Sequence, residues 1–323
     1  MSTPLLPGSP GQAETSTPVD PTLATRLVDH VERVVVGKRS VVTLSVATLL
    51  AGGHLLLEDV PGVGKTVLAR TLARTIDGQH TRIQGAPDLL PTDLTGAAVW
   101  RPREERFEFV AGPLFANIVV VDEANRMPPR TQAALLEAME EGQVSVDGVT
   151  HALPQPSMIL ATQNPAEQHG VHPLPESQLD RFTAATSMGY PEAVDEVAIV
   201  ASQLRADPLT TLPPLLDLHQ LAGLQAAARN VTATEDLVGY AVRLVRATRN
   251  RPGVRLGASP RAALQLVRLA QAMALLDQRP VVLPDDIKRV APVVLVHRLV
   301  VDGRGERPEA VVQAVLHETP VAA

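Results

Sequence analysis

The chain has 323 residues, 45% of them hydrophobic, enough for one large α/β domain and a smaller second domain, each with its own core. With no cysteine, a disulfide framework, thiol catalysis and cysteine-type zinc sites are excluded, which fits a reducing compartment. A net charge of -6 disfavours nucleic acid as a partner; there is no apolar run of membrane-spanning length and no signal-peptide layout, so a cytoplasmic location is expected.

Residues 1–20 are rich in Pro, Ser, Thr and Gly with little to bury, and read as a disordered tail. From Pro21, the residues Leu23, Leu27, Val31 and Val34 recur at helical spacing until Gly37, and a second apolar helix spans about Val41 to Leu50. His54-Leu55-Leu56-Leu57-Glu58 reads as a short buried strand that runs into a glycine loop and then a helix, Thr66 to Thr75. Two further apolar runs, Asn117–Val121 and Met158–Thr162, deliver Asp122-Glu123 and Asn164 at their C-terminal ends, where open α/β sheets bind ligands.

Between these strands lies a less regular segment, Gln84 to Pro113. Trp100, Phe107, Phe109 and the nearby Phe115 are four of the chain's aromatics (Trp 1, Tyr 2, Phe 4), and they make either a small local core or an exposed grip for a partner. Pro128-Pro129 opens a helix that Gly142 closes, and Asp147-Gly148 then turns a tight hairpin. Past Tyr190-Pro191 the pattern is helical, with no further strand signal and with Ser259-Pro260 starting one of the helices. The expected division is a tail at 1–20, an α/β nucleotide-binding core at 21–205 and a helical domain at 206–323.

The chemistry concentrates at Gly62-Val63-Gly64-Lys65-Thr66. A glycine turn lets backbone N–H groups converge on phosphate oxygens, Lys65 adds a positive charge near the β and γ phosphates, and Thr66 offers a hydroxyl to Mg²⁺. Against the pattern G-x-x-x-x-G-K-[ST], Asp59 stands at the first glycine position. After a buried strand, Asp122 is placed to hold Mg²⁺ through water and Glu123 to polarise an attacking water, which Asn164 would orient. Arg181 and Arg261 are the candidates for cations that meet charge developing on the γ phosphate, with Arg181 facing a neighbouring subunit.

Beyond Asp59–Thr66, the segments Gly85–Pro91, Gly112–Asn117, Asp122–Arg126 and Gly257–Ala262 make the sequence resemble the MoxR family of AAA+ ATPases, over nearly all of Pro21 to about Val300. The resemblance implies a P-loop AAA+ core, a parallel sheet flanked by helices, with a smaller all-α lid. By it, Lys65 and Thr66 are similar to Walker A, Asp122 and Glu123 to Walker B, Asn164 to sensor 1, Arg181 to the arginine finger and Arg261 to sensor 2. Val36-Gly37 corresponds to the adenine-side contact, and Pro61, Gly62, Val63, Gly64 and Val67 join Lys65 and Thr66 in holding ATP, with Thr66 and Asp122 at Mg²⁺. Gln84–Pro113 and the Asp147-Gly148 hairpin resemble the two inserts of the helix-2-insert clade. The resemblance also implies a homo-oligomeric ring, a hexamer, with chaperone-like work on protein clients and a von Willebrand factor A-domain partner.

Two other readings compete with a hydrolysing ring. One is a nucleotide-gated assembly factor with incidental turnover; the other is a DNA-associated motor, which the net charge and the lack of Lys or Arg over Val144–Leu153 disfavour.

Overall fold

A computed structural model describes residues 20–59, 62–163, 172–205, 207–302 and 306–321. Pro61, Asn164 and the tail before Asp20 lie outside the described residues. The strands in chain order are β1 Leu55–Glu58, β2 His80–Gln84, β3 Gly96–Arg101, β4 Arg106–Ala111, β5 Ile118–Asp122, β6 Gln143–Val146, β7 Val149–Ala152, β8 Met158–Gln163, β9 Ala184–Thr186, β10 Val254–Leu256 and β11 Val300–Val301. Five of them form one parallel sheet in the order β2-β5-β8-β1-β9.

The three apolar runs of the sequence are the central strands β5, β8 and β1, covered on both faces as their composition requires. Their side chains alternate strictly. Leu55, Leu57, Ile118, Val120, Met158 and Leu160 point into one core cluster, and Leu56, Val119, Val121, Ile159 and Ala161 into the other. The sheet is two strands wider than the sequence suggests. β2 has a single apolar residue, Ile83, and β9 has three residues in all, so neither carries a run that periodicity detects.

The parallel strands are linked by crossover helices, Lys65–Thr75 between β1 and β2 and Pro129–Glu141 between β5 and β8. Helices Leu218–Asn230, Glu235–Arg249, Pro260–Leu276, Pro284–Leu295 and Pro308–Glu318 follow the sheet. They share the first core cluster with the helices Thr22–Glu32 and Arg39–Leu50. The expectation of no strand past Pro191 is corrected by β10 and β11, an antiparallel pair of three and two residues that is too short to display a period of two.

A buried cation ties the helical part to the sheet. Arg298 is 4% exposed. Its Nε donates to Asp180 Oδ1 at 3.0 Å, and its two Nη groups donate to the carbonyls of Val294, Asp180 and Phe182. Burial lowers the Arg298 pKa to about 10, so the side chain stays charged at neutral pH. Ser259, at the N-cap position of the helix that Pro260 opens, makes no side-chain cap and instead donates to the Asp180 carboxylate, at 2.9 and 2.8 Å from its two oxygens.

Two hairpins project from the core. β3–β4 pairs Trp100 with Phe107, whose rings meet edge to face at 5.2 Å yet stay 48% and 68% exposed. Phe109, two residues further along the same face of β4, stacks on His151 at 3.8 Å and meets Phe115 at 5.5 Å. Along one face of the ribbon, the aromatic nearer its base packs against the β6–β7 hairpin, and the pair nearer its turn stays exposed. In β6–β7, Asp147 (φ 50°) and Gly148 (φ 79°) make the tight turn their sequence announces.

Candidate active site

The glycine loop joins β1 to the helix Lys65–Thr75, with Gly62 at φ 87° and Gly64 at φ 96°. Other residues rarely adopt these angles, and they point N–H groups away from the helix into the space above it. That space is a cavity of about 300 Å³ lined by Asp59, Gly62, Gly64, Lys65, Thr66, Val67, Arg82, Gln84, Asp122, Glu123 and Thr162. Lys65 and Thr66, from after β1, and Asp122 and Glu123, from the end of β5, converge there. Beside it, Val36, Val63, Gly64 and Val67 line a smaller apolar cleft of about 90 Å³ with Met188, Pro191 and Ile199. Gly37 adjoins that cleft at φ 72°. A flat apolar ring suits the cleft and a triphosphate suits the cavity.

Asp59 has a structural job at the place where a glycine is usual. It is 6% exposed, and its Oδ2 accepts from the backbone N–H groups of Met188 (2.5 Å) and Gly189 (2.9 Å) and from Ser187 Oγ (3.2 Å). The carboxylate thus fastens the end of β1 to the segment after β9, which carries Met188 into the apolar cleft. Its carbonyl accepts from Lys65 Nζ at 3.1 Å.

The acidic pair is held by residues that sequence reasoning missed. Arg82 Nε donates to Asp122 Oδ2 at 2.7 Å, and Thr162 Oγ1 lies 3.4 Å from Asp122 Oδ1 while accepting the Glu123 N–H at 3.0 Å. Gln84 Nε2 and Arg126 Nη1 each donate to Glu123 Oε2 at 3.0 Å. Glu123 itself adopts φ 53°, a left-handed conformation that turns its side chain away from the strand's alternation. Gly85 is required by close approach, since a Cβ there would lie 2.1 Å from the Glu123 carbonyl. The available signal was positional: Arg82 and Gln84 share one face of β2, beside the end of β5.

The donor set fits a small hard cation. Thr66 and Asp122 present hydroxyl and carboxylate oxygens in one cavity, and Asp122 is buried beside Thr162. Such oxygens suit Mg²⁺, which keeps several waters and is commonly bound through one or two carboxylates plus substrate phosphates. Among the described residues no group of three or more His, Cys, Asp or Glu could hold a metal by itself.

Arg181 and Arg261 do not line this cavity. They lie together around a second one of about 320 Å³ with Gly52, Gly53, His54, Glu140 and Thr183. Both arginines pair with Glu140. His54 accepts the Ile159 N–H at Nδ1 (3.0 Å) and pairs through Nε2 with the Met139 carbonyl (3.0 Å), and loss of water around the ring lowers its pKa to about 4.

A five-stranded parallel sheet with a phosphate loop after β1, an acidic pair after β5 and an appended helical lid defines a nucleotide-binding ATPase module of the AAA+ class. Comparison with known proteins agrees. The family model of the ATPase family associated with various cellular activities (AAA) matches residues 54–184, and that of the AAA lid domain matches 246–318. Chaperone MoxR1 of Mycobacterium tuberculosis is 41% identical over 90% of this chain and 80% of its own. Protein YeaC of Bacillus subtilis, described as uncharacterized, is 46% identical over 92% and 94%, and protein MoxR of Paracoccus denitrificans 32% identical over 88% and 90%. A solved structure of a candidate ATPase from Cytophaga hutchinsonii superposes with a TM-score of 0.87 at 35% identity, covering 93% of this chain and 95% of that one. The chain belongs to the MoxR family of AAA+ ATPases. Among the described residues, no helix is long and apolar enough to cross a membrane.

Proposed function

We propose that the protein binds and hydrolyses Mg-ATP in a homo-oligomeric ring, a hexamer, in the cytoplasm, and couples turnover to remodelling of protein clients. The observation that supports the reading is that the candidate site residues fall into two separate cavities. Lys65, Thr66, Asp122 and Glu123 line the phosphate cavity, whereas Arg181 and Arg261 line another. A γ phosphate in transfer needs both halves, so the cations must come from an adjacent subunit.

In this scheme the core is 21–205 and the lid 206–323. The N–H groups of the glycine loop and Lys65 bind the phosphates, while Val36, Gly37, Pro61, Val63 and Val67 enclose the base. Thr66 and Asp122 would hold Mg²⁺, which would supply neutralisation of the charge on the phosphates. Arg82, which donates to Asp122 Oδ2, holds that carboxylate in place at the edge of the cavity. Glu123, released from Gln84, takes a proton from the attacking water, and Asn164 orients that water.

The exposed pair Trp100 and Phe107 supplies an apolar grip for a client or for a von Willebrand factor A-domain partner. The name of a relative, Chaperone MoxR1, supports work on protein clients. The β6–β7 hairpin has no Lys or Arg to offer a phosphate backbone, which weighs against a DNA motor.

The test is ATP turnover per subunit over a range of protein concentrations. A steep rise is expected as rings assemble, and Arg181→Ala should flatten it. A rate per subunit that stays constant on dilution to monomer would contradict the proposal.

A further inference from the structure

Arg181 follows the short helix Glu176–Leu179, and Arg261 stands in the first turn of the lid helix Pro260–Leu276. Between their tips lies Glu140, in the last turn of the helix Pro129–Glu141. Its Oε2 pairs with Arg181 Nη1 and its Oε1 with Arg261 Nη2, so both oxygens of one carboxylate are engaged by two cations from different parts of the chain.

Without an anion between them, two guanidiniums this close would repel and spread. Each long arginine side chain also has rotamer entropy to lose on being fixed. A single carboxylate offsets the repulsion and fixes both tips while leaving the group with a net positive charge. Further contacts hold Arg181 in place beside the cavity. Arg181 Nη1 also donates to the Leu136 carbonyl at 3.1 Å, and its Nε is buried with no hydrogen-bond partner among the described residues. Gly52 and Gly53 border the adjoining cavity. A substituent at Gly52 would meet nothing within 4 Å, so there is open space beside the cations.

We propose that Glu140 is the positioning residue of the arginine pair: it holds Arg181 and Arg261 together, preorganised to receive the γ phosphate bound by an adjacent subunit. The proposal rests on the reading that these arginines act across a subunit boundary. A donor pair fixed before the phosphate arrives needs no reorganisation during transfer, so the contribution falls on kcat rather than on ATP affinity.

The test uses subunit mixing. Glu140→Gln keeps the side-chain shape and removes the charge; kcat is expected to fall about tenfold or more with KM for ATP nearly unchanged. Glu140→Asp, which keeps the charge on a shorter arm, should fall between Glu140→Gln and wild type. Melting temperature and binding of a fluorescent ATP analogue establish that each variant is folded.

Glu140→Gln subunits are then mixed with Glu123→Gln subunits, which carry intact arginines beside a disabled phosphate site. Turnover above the sum of the two separate preparations is expected, because the intact arginines of one subunit serve the intact phosphate site of the next. Arg181→Ala mixed with Glu123→Gln is the parallel control. Rescue in the Arg181 mixture without rescue in the Glu140 mixture overturns the positioning role and leaves the trans reading standing. Failure of the Arg181 mixture overturns the trans reading and the proposal with it, and wild-type kcat in Glu140→Gln alone overturns the proposal directly.

Discussion

Glu123→Gln should lower ATP turnover by about 10²- to 10⁴-fold while leaving ATP affinity close to that of wild type, because a positioned general base contributes on that scale to the chemical step alone. The substitution is nearly isosteric. Glu123 contributes its backbone to the close contact with Gly85 and its N–H to Thr162, and neither depends on the carboxylate. What changes is the atom that accepts from Gln84 and Arg126 and, in the proposed reaction, takes the proton of water. Phosphate release and nucleotide binding measured on the same preparation separate the two effects. Parallel loss of both would show that the side chain supports the cavity and not the chemistry.

Arg298→Met should destabilise the fold by about 3–5 kcal/mol, the usual consequence of removing one member of a buried ion pair and leaving its partner uncompensated. Methionine fills much of the volume but donates nothing. The Asp180 carboxylate would retain Ser259, while the carbonyls of Val294, Asp180 and Phe182 would each lose the guanidinium donor. These groups join the segment that carries Arg181 to the lid, so a drop in ATPase activity should accompany the loss of stability. Urea denaturation followed by circular dichroism gives the magnitude.

The parts legible in the sequence are those whose signal is local. The loop Gly62–Thr66, the apolar runs that became β1, β5 and β8, the helix between Pro129 and Gly142 and the Asp147-Gly148 turn each carry their instructions within a dozen residues. The edge strands β2 and β9 were not legible, because an edge strand that is short or half exposed needs no apolar run. The partners of the acidic pair were hidden for a different reason. Arg82 and Gln84 reach Asp122 and Glu123 only because β2 lies parallel to β5 with Gln84 opposite Asp122, a register that nothing local to either segment dictates.

Asp59 shows the limit of a motif. It stands where the pattern has its first glycine, and its buried carboxylate fastens Met188 and Gly189 more than a hundred positions away. Arg181 and Arg261 were candidates from the sequence, but their common carboxylate, Glu140, sits in a helix whose only local signal is an amphipathic pattern.

The central claim is that the cavity lined by Lys65 and Thr66 binds ATP, and calorimetric titration of wild type and Lys65→Ala with ATP in the presence of Mg²⁺ tests it most directly. Wild type should bind at one site per subunit, and Lys65→Ala about 10- to 100-fold more weakly, the value of a charge-assisted hydrogen bond to phosphate. Equal affinity in the two proteins would place the nucleotide elsewhere and contradict the account.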